Sequence, residues 1–147
     1  MNGWLGIALA PRTRRVVQAV LYELVAIAMV TPSIALFFGE SGSSALGLSV
    51  VMSSMALTWN YTFNALFEWW ERRQTVKGRS ARRRLVHGLG FEGGLGVFLI
   101  PVIAWWLQTS LWNALLIEAS FLLFFMVYTV AFTWLFDHLF GLPESAR

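Results

Sequence analysis

Arg84-Leu85-Val86-His87-Gly88-Leu89-Gly90-Phe91-Glu92-Gly93-Gly94 opens a long apolar run directly behind a cluster of arginines and places one carboxylate inside it. The pattern has an earlier copy. Arg15-Val16-Val17-Gln18-Ala19-Val20-Leu21-Tyr22-Glu23 sets Arg15 against Arg84, Gln18 against His87, Tyr22 against Phe91 and Glu23 against Glu92, a separation of 69 residues (84 minus 15). The same shift, without a gap, pairs Pro32 with Pro101, Ala45-Leu46 with Ala114-Leu115 and Trp59 with Tyr128. It also pairs Phe63 with Phe132, Leu66-Phe67 with Leu135-Phe136 and Glu68 with Asp137. Leucine on leucine means little between apolar helices, but Arg, Glu, Pro and a terminal acid in one register mark an internal repeat.

Of 147 residues, 57% are hydrophobic and 13% charged, whereas soluble domains carry about 25% charged residues. An integral membrane protein follows. Val16–Phe38, Ala45–Phe67, Leu85–Leu107 and Trp112–Phe136 are each long enough to cross, since a spanning helix needs about 20 residues. A soluble four-helix bundle would need polar faces recurring along every helix, and the third stretch offers only His87 and Glu92. The expected fold is all-α: four transmembrane helices arranged as two parallel two-helix repeats.

Residues 1–11 read as an N-terminal extension, apolar but without the basic start and cleavage site of a secretory signal, and expected at the membrane surface. Residues 12–70 form the first transmembrane pair and 82–140 the second. A basic linker, 71–81, joins them, and 141–147 is a short tail. Arginine and lysine gather before the first span and between the second and third, while 39–44 and 108–111 have none. The positive-inside rule therefore puts both termini and the linker in the cytoplasm, and each pair enters the membrane from the same side, as in parallel-repeat transporters. The net charge of +3 is spent on this asymmetry and implies no nucleic-acid partner. Absence of cysteine excludes disulfides and thiolate metal sites, and two histidines are too few for a metal site. No cofactor is expected.

Glu23 lies about 12 Å along the helix from Arg15 at 1.5 Å per residue, inside the hydrocarbon. Acids at such depth usually face a bundle interior or water-filled cavity and mark proton or ion pathways. Water-poor surroundings disfavour the charged form of an acid, so a carboxyl group there suits exchange of a proton for a cation. The bland alternative is a structural clamp with a linker arginine. For Glu92, flanked by Gly90, Gly93 and Gly94, close helix packing through small residues is an equal alternative. Asn60, Asn64 and Glu68 share a helix face at four-residue spacing, as do Thr129, Thr133 and Asp137. Three turns earlier these stripes reach Ser49 and Glu118, which makes Glu118 an outer relay acid in this reading; inter-helix hydrogen bonding is the alternative. Trp59, Phe63 and Phe67, and their counterparts Tyr128, Phe132 and Phe136, form rows that either pack or bind organic cations, at about 0.5–2 kcal/mol per cation–π contact. No nucleophile–base arrangement or phosphate loop is present, so the acids argue for binding and proton exchange rather than for an enzyme.

At these residues the chain resembles the proteobacterial antimicrobial compound efflux (PACE) family, built from two tandem bacterial transmembrane pair units. The resemblance covers most of residues 12–140 and rests on Arg15-x-x-Gln18 with Tyr22-Glu23, Trp59-Asn60 through Phe67-Glu68, Arg84-x-x-His87 with Gly90-Phe91-Glu92-Gly93-Gly94, and Tyr128 through Phe132 to Phe136-Asp137. It implies an inner-membrane, multi-pass, proton-driven exporter of cationic biocides such as chlorhexidine, with relatives that resemble exporters of short-chain diamines, and it implies that proton and substrate are coupled at Glu23. Tyr22, Trp59, Asn60, Asn64, Glu68, His87, Phe91, Glu92, Glu118, Tyr128 and Asp137 stand as substrate-path residues. Gln18 departs from the family's usual histidine and cannot titrate. The expected partners are organic cations, protons and lipid, with a homodimer as one arrangement of so small a bundle. A non-transporting membrane subunit is the competing class.

Overall fold

The computed structural model describes residues 3–76, 78 and 80–143; Lys77 and Arg79 of the linker and both chain ends lie outside the described residues. The described residues form four helices: α1 (Pro11–Phe38), α2 (Gly42–Arg72), α3 (Ala81–Trp106) and α4 (Leu111–Phe140). Proline at the first position of α1 suits a helix start, because its missing N–H would have had no partner there. Ser80 caps α3 by accepting from the Arg83 N–H. Pro32 and Pro101 sit inside α1 and α3. Each removes one backbone bond, a defect at the same register position in both helices.

The first turn is shorter than expected. Ser41 accepts from the Ser44 N–H and caps α2, so Gly42, Ser43 and Ser44 belong to its first turn, and at the far end α2 runs through Arg72 into the stretch read as linker. A side-chain oxygen at the N-cap satisfies a backbone donor that would otherwise lack a partner, which lets the helix begin as soon as the chain has reversed. Sixty-nine residues on (110 minus 41), Ser110 accepts from the Asn113 N–H in the same way. The preceding residues match too: Gly39 has φ 67° and Gln108 φ 51°.

By contact the chain divides into two units, one from residues 1–30 and 119–147, the other from 31–118. In the first, Ala26 and Val30 of α1 are buried, as are Tyr128 and Phe136 of α4. In the N-terminal extension the Trp4 and Leu5 N–H groups donate to the carbonyls of His138 and Leu139 at 2.8 and 3.1 Å, satisfying acceptors that the end of α4 leaves open. In the second unit the buried positions are Ile34, Ala45, Leu48, Met52, Phe67, Leu95, Leu99, Ile103 and Ala114. Ala26 and Leu95, Val30 and Leu99, Ile34 and Ile103, Ala45 and Ala114, and Phe67 and Phe136 are all counterparts under the 69-residue shift. Side chains four apart share one face of a helix, so the same stripe of α1 and α3 is withdrawn from the surroundings.

Three helices, α1, α3 and α4, are long and apolar enough to cross a membrane. α2 is the longest at 31 residues, but its serines, threonines and asparagines keep it out of that group. Hydrogen bonds absorb much of this polarity. Ser49 is buried, donates to the Ala45 carbonyl at 2.9 Å and accepts from Thr31 at 3.1 Å. Ser54 and Thr58 donate to carbonyls four residues back, each at 2.8 Å.

Candidate functional site

In the first unit the site grows from Tyr22 and Tyr128. The Tyr128 hydroxyl donates to the Tyr22 carbonyl at 2.8 Å, and the Tyr22 hydroxyl shares a hydrogen bond with Thr129, also at 2.8 Å. Their ring centroids are 4.8 Å apart, with Phe132 edge-on to Tyr22 at 5.3 Å. Offset and edge-to-face arrangements at such distances suit the ring quadrupole. Glu23, next to Tyr22 on α1, is half-buried and within Coulombic reach of both tyrosines. A carboxylate within Coulombic reach of an aromatic cluster is a surrounding that an organic cation favours.

Toward the end of that unit, Arg14 closes a clamp. Its guanidinium donates to Asp137 at 2.5 Å, to the Gly141 carbonyl at 3.0 Å and to Gln18 at 3.2 Å, and it lies 5.0 Å from the Phe136 ring centroid. Asp137 is therefore engaged by an arginine, and Gln18 serves as a neutral acceptor for a cation that is always charged. Sequence reasoning passed over Arg14. The available signal was an acid on α4 and a basic residue at the start of α1, but three arginines compete there and only packing selects one.

The second unit repeats the arrangement with different chemistry. The Trp59 Nε1–H donates to the Phe91 carbonyl at 2.9 Å, the counterpart of Tyr128 on Tyr22. Phe63 stands 5.4 Å from Trp59, 5.8 Å from Phe91 and 6.2 Å from Phe67, matching Phe132 among Tyr128, Tyr22 and Phe136. The rows therefore pack as clusters. Gly90 and Gly94 make the room, but what approaches them is side chain: a Cβ on Gly90 would meet the Phe63 ring at 3.0 Å, and one on Gly94 would collide with the Trp59 ring. In the first unit Val25 stands at the Gly94 position and the smaller Tyr128 at the Trp59 position.

Where the first unit has Tyr22 and Thr129, the second has an amide pair and an imidazole. Asn64 donates to Asn60 Oδ1 at 2.6 Å and to the Asn60 carbonyl at 2.8 Å, while its own Oδ1 lies 2.8 Å from His87 Nε2. Glu92 and Glu118, from α3 and α4, are both half-buried and within Coulombic reach of each other, a proximity that their positions in the chain do not announce. Glu68 is exposed. Among the described residues the polar stripes of α2 and α4 are not continuous hydrogen-bonded lines: Asn60 and Asn64 bond to each other, Thr129 turns to Tyr22, and Asp137 pairs with Arg14. No group of three His, Asp or Glu that could hold a metal occurs among the described residues.

A family model described as chlorhexidine efflux transporter, the BTP family, matches residues 10–73 and again 79–142. The chain belongs to this family. Each of the two ring clusters thus takes one helix from each BTP match, Tyr22 with Tyr128 and Trp59 with Phe91. A curated relative from Vibrio parahaemolyticus, named short-chain diamines transporter, is 41% identical over 126 residues, covering 86% of this chain and 89% of that protein. Relatives of the same name from Acinetobacter baylyi and Acinetobacter baumannii are 32% and 30% identical, covering 84% and 86% of this chain and 87% of each relative. No solved structure matches. With three helices able to span and a transporter family, this is a multi-pass membrane transporter, a class that moves its substrate without converting it.

Proposed function

We propose that the protein exports organic dications across the bacterial inner membrane in exchange for protons, with short-chain diamines as its first substrates. Glu23 is the residue at which proton and substrate exchange. The observation that carries this reading is Glu23 half-buried on α1, next to Tyr22 in the chain and within Coulombic reach of both Tyr22 and Tyr128. An acid there offers a proton site and a cation site in one, and the rings add attraction for an ammonium group. The diamine assignment leans on the names of the three relatives. Chlorhexidine is the second reading, favoured by the description of the family. It too carries two cationic groups, so one mechanism serves both.

In this reading α2 crosses the membrane as well, because its hydroxyls bond to backbone carbonyls and so spare the bilayer unsatisfied polar groups. Both termini lie in the cytoplasm, and residues 12–70 and 82–140 are parallel repeats. Support comes from the matched turns at Gly39 and Gln108, the matched caps at Ser41 and Ser110, and the five buried pairs. Export needs two conformations whose balance is shifted by proton and substrate. Addition of cadaverine or chlorhexidine to purified protein near neutral pH is expected to release protons, and Glu23→Gln to abolish the release. Persistence of release in the mutant would remove Glu23 from the coupling; failure of the wild type to transport either compound in proteoliposomes would move the protein to the class of non-transporting subunits.

A further inference from the structure

His87 is held in one tautomer. The Asn60 backbone carbonyl can only accept, so the Asn64 side-chain atom 2.8 Å from it is the NH2 group. Asn64 Oδ1 is therefore the atom that faces His87, and Nε2 must carry the hydrogen it donates across 2.8 Å. A neutral imidazole has one N–H and one lone pair, which leaves the lone pair on Nδ1. Among the described residues nothing bonds to that nitrogen. His138 shows the opposite arrangement: its Nδ1 lies 2.7 Å from the Trp134 carbonyl, so there Nδ1 carries the hydrogen.

The surroundings of His87 are aromatic. Its ring centroid is 4.6 Å from Phe67 and 5.2 Å from Phe63, inside the cluster that also holds Trp59 and Phe91. Of the charged groups, Glu68 and Glu71 lie one turn beyond Asn64 and Phe67 on α2, and Arg83 and Arg84 one turn before His87 on α3. Arg83 is turned to the Gly78 and Val76 carbonyls at 2.8 and 2.7 Å. Histidine is the side chain whose ordinary titration falls between pH 5 and 8. Its counterpart, Gln18, cannot titrate and is bound to Arg14.

From this geometry we propose that His87 is a second proton-accepting site of the transporter, taking a proton on its free Nδ1, and that its charged form and a substrate cation exclude one another at the Phe63–Phe67 rings. The proposal rests on the transport reading for its purpose, but not for its chemistry. The transfer is a simple one: a hydronium ion gives a proton to the Nδ1 lone pair, its O–H bond breaking as the N–H bond forms, and a water molecule is left. The two units then differ in kind, one with a fixed arginine–glutamine contact and one with an imidazole whose Nδ1 lone pair is open.

With only two histidines, 15N-histidine labelling of the full-length protein in micelles reads both directly, assigned through His87→Gln and His138→Gln. At pH 8 the wild type is expected to show His87 as the Nε2–H tautomer and His138 as the Nδ1–H tautomer, with His87 gaining its second proton on descent to pH 5. An Nδ1–H tautomer at His87, or no protonation by pH 5, overturns the proposal. Asn64→Leu is expected to abolish the tautomer preference, and an unchanged preference would show that Asn64 does not set it. Chlorhexidine affinity, which one competing proton changes by up to about tenfold per pH unit, is expected to vary less steeply with pH in His87→Gln; an unchanged slope overturns the exclusion. If chlorhexidine binds to no variant, the exclusion is overturned for this probe while the tautomer result stands.

Discussion

Gly93 and Gly94 are neighbours with opposite surroundings. A Cβ on Gly93 meets nothing within 4 Å, whereas one on Gly94 runs into the Trp59 indole. Gly94→Ala therefore forces the indole off its seat and strains its hydrogen bond to the Phe91 carbonyl, at an expected cost of about 1–3 kcal/mol for overpacking. Gly93→Ala only replaces a poor helix former by a good one, a gain of about 0.5–1 kcal/mol. Thermal unfolding in detergent, followed by tryptophan fluorescence, separates the two: equal midpoints would mean that Trp59 does not rest on Gly94. The sequence shows the glycines and suggests close packing, but whether a backbone or a ring fills the space depends on how α2 is rotated, and that was not legible.

At the scale of elements, the two short turns share one backbone shape filled by unlike residues. Gly39 adopts its φ of 67° without penalty, while Gln108 holds φ 51° with a side chain attached, a conformation that costs an L-residue about 1–2 kcal/mol. Gln108→Gly is expected to stabilise the protein by about 0.5–1 kcal/mol, the relief being partly offset by the greater freedom of glycine in the unfolded chain. A lower unfolding midpoint would show that the exposed bond from Gln108 to the Trp105 carbonyl at 2.6 Å outweighs the strain. Helix positions were legible because apolar length is a coarse, robust signal. The helix ends were less so, since a single serine cap at Ser41 moves the start of α2 by three residues.

At the scale of the molecule, the absence of cysteine makes topology directly measurable. Thr75→Cys in the linker is expected to be shielded from an impermeant maleimide in intact cells, and Ser41→Cys and Thr109→Cys to be labelled. Labelling of Thr75 together with Ser41 would place both ends of α2 outside and remove it as a span, the element whose apolarity is weakest. No single helix fixes its own direction; the distribution of arginine over all the connections does.

Membership of the membrane class, four helices and the 69-residue register were present in the sequence alone, because they depend on composition and on spacing along the chain, which folding does not alter. So was the distance of Glu23 from Arg15 along α1, which follows from helical rise. The tertiary structure decided the partners. It chose Arg14 among three neighbouring arginines for Asp137, brought Glu92 of α3 within reach of Glu118 of α4, and set Asn64 against His87 so that one nitrogen is left open. Such pairings join residues far apart in the chain, and they depend on helix rotation and on angstrom-scale distances that hydrophobic periodicity does not encode.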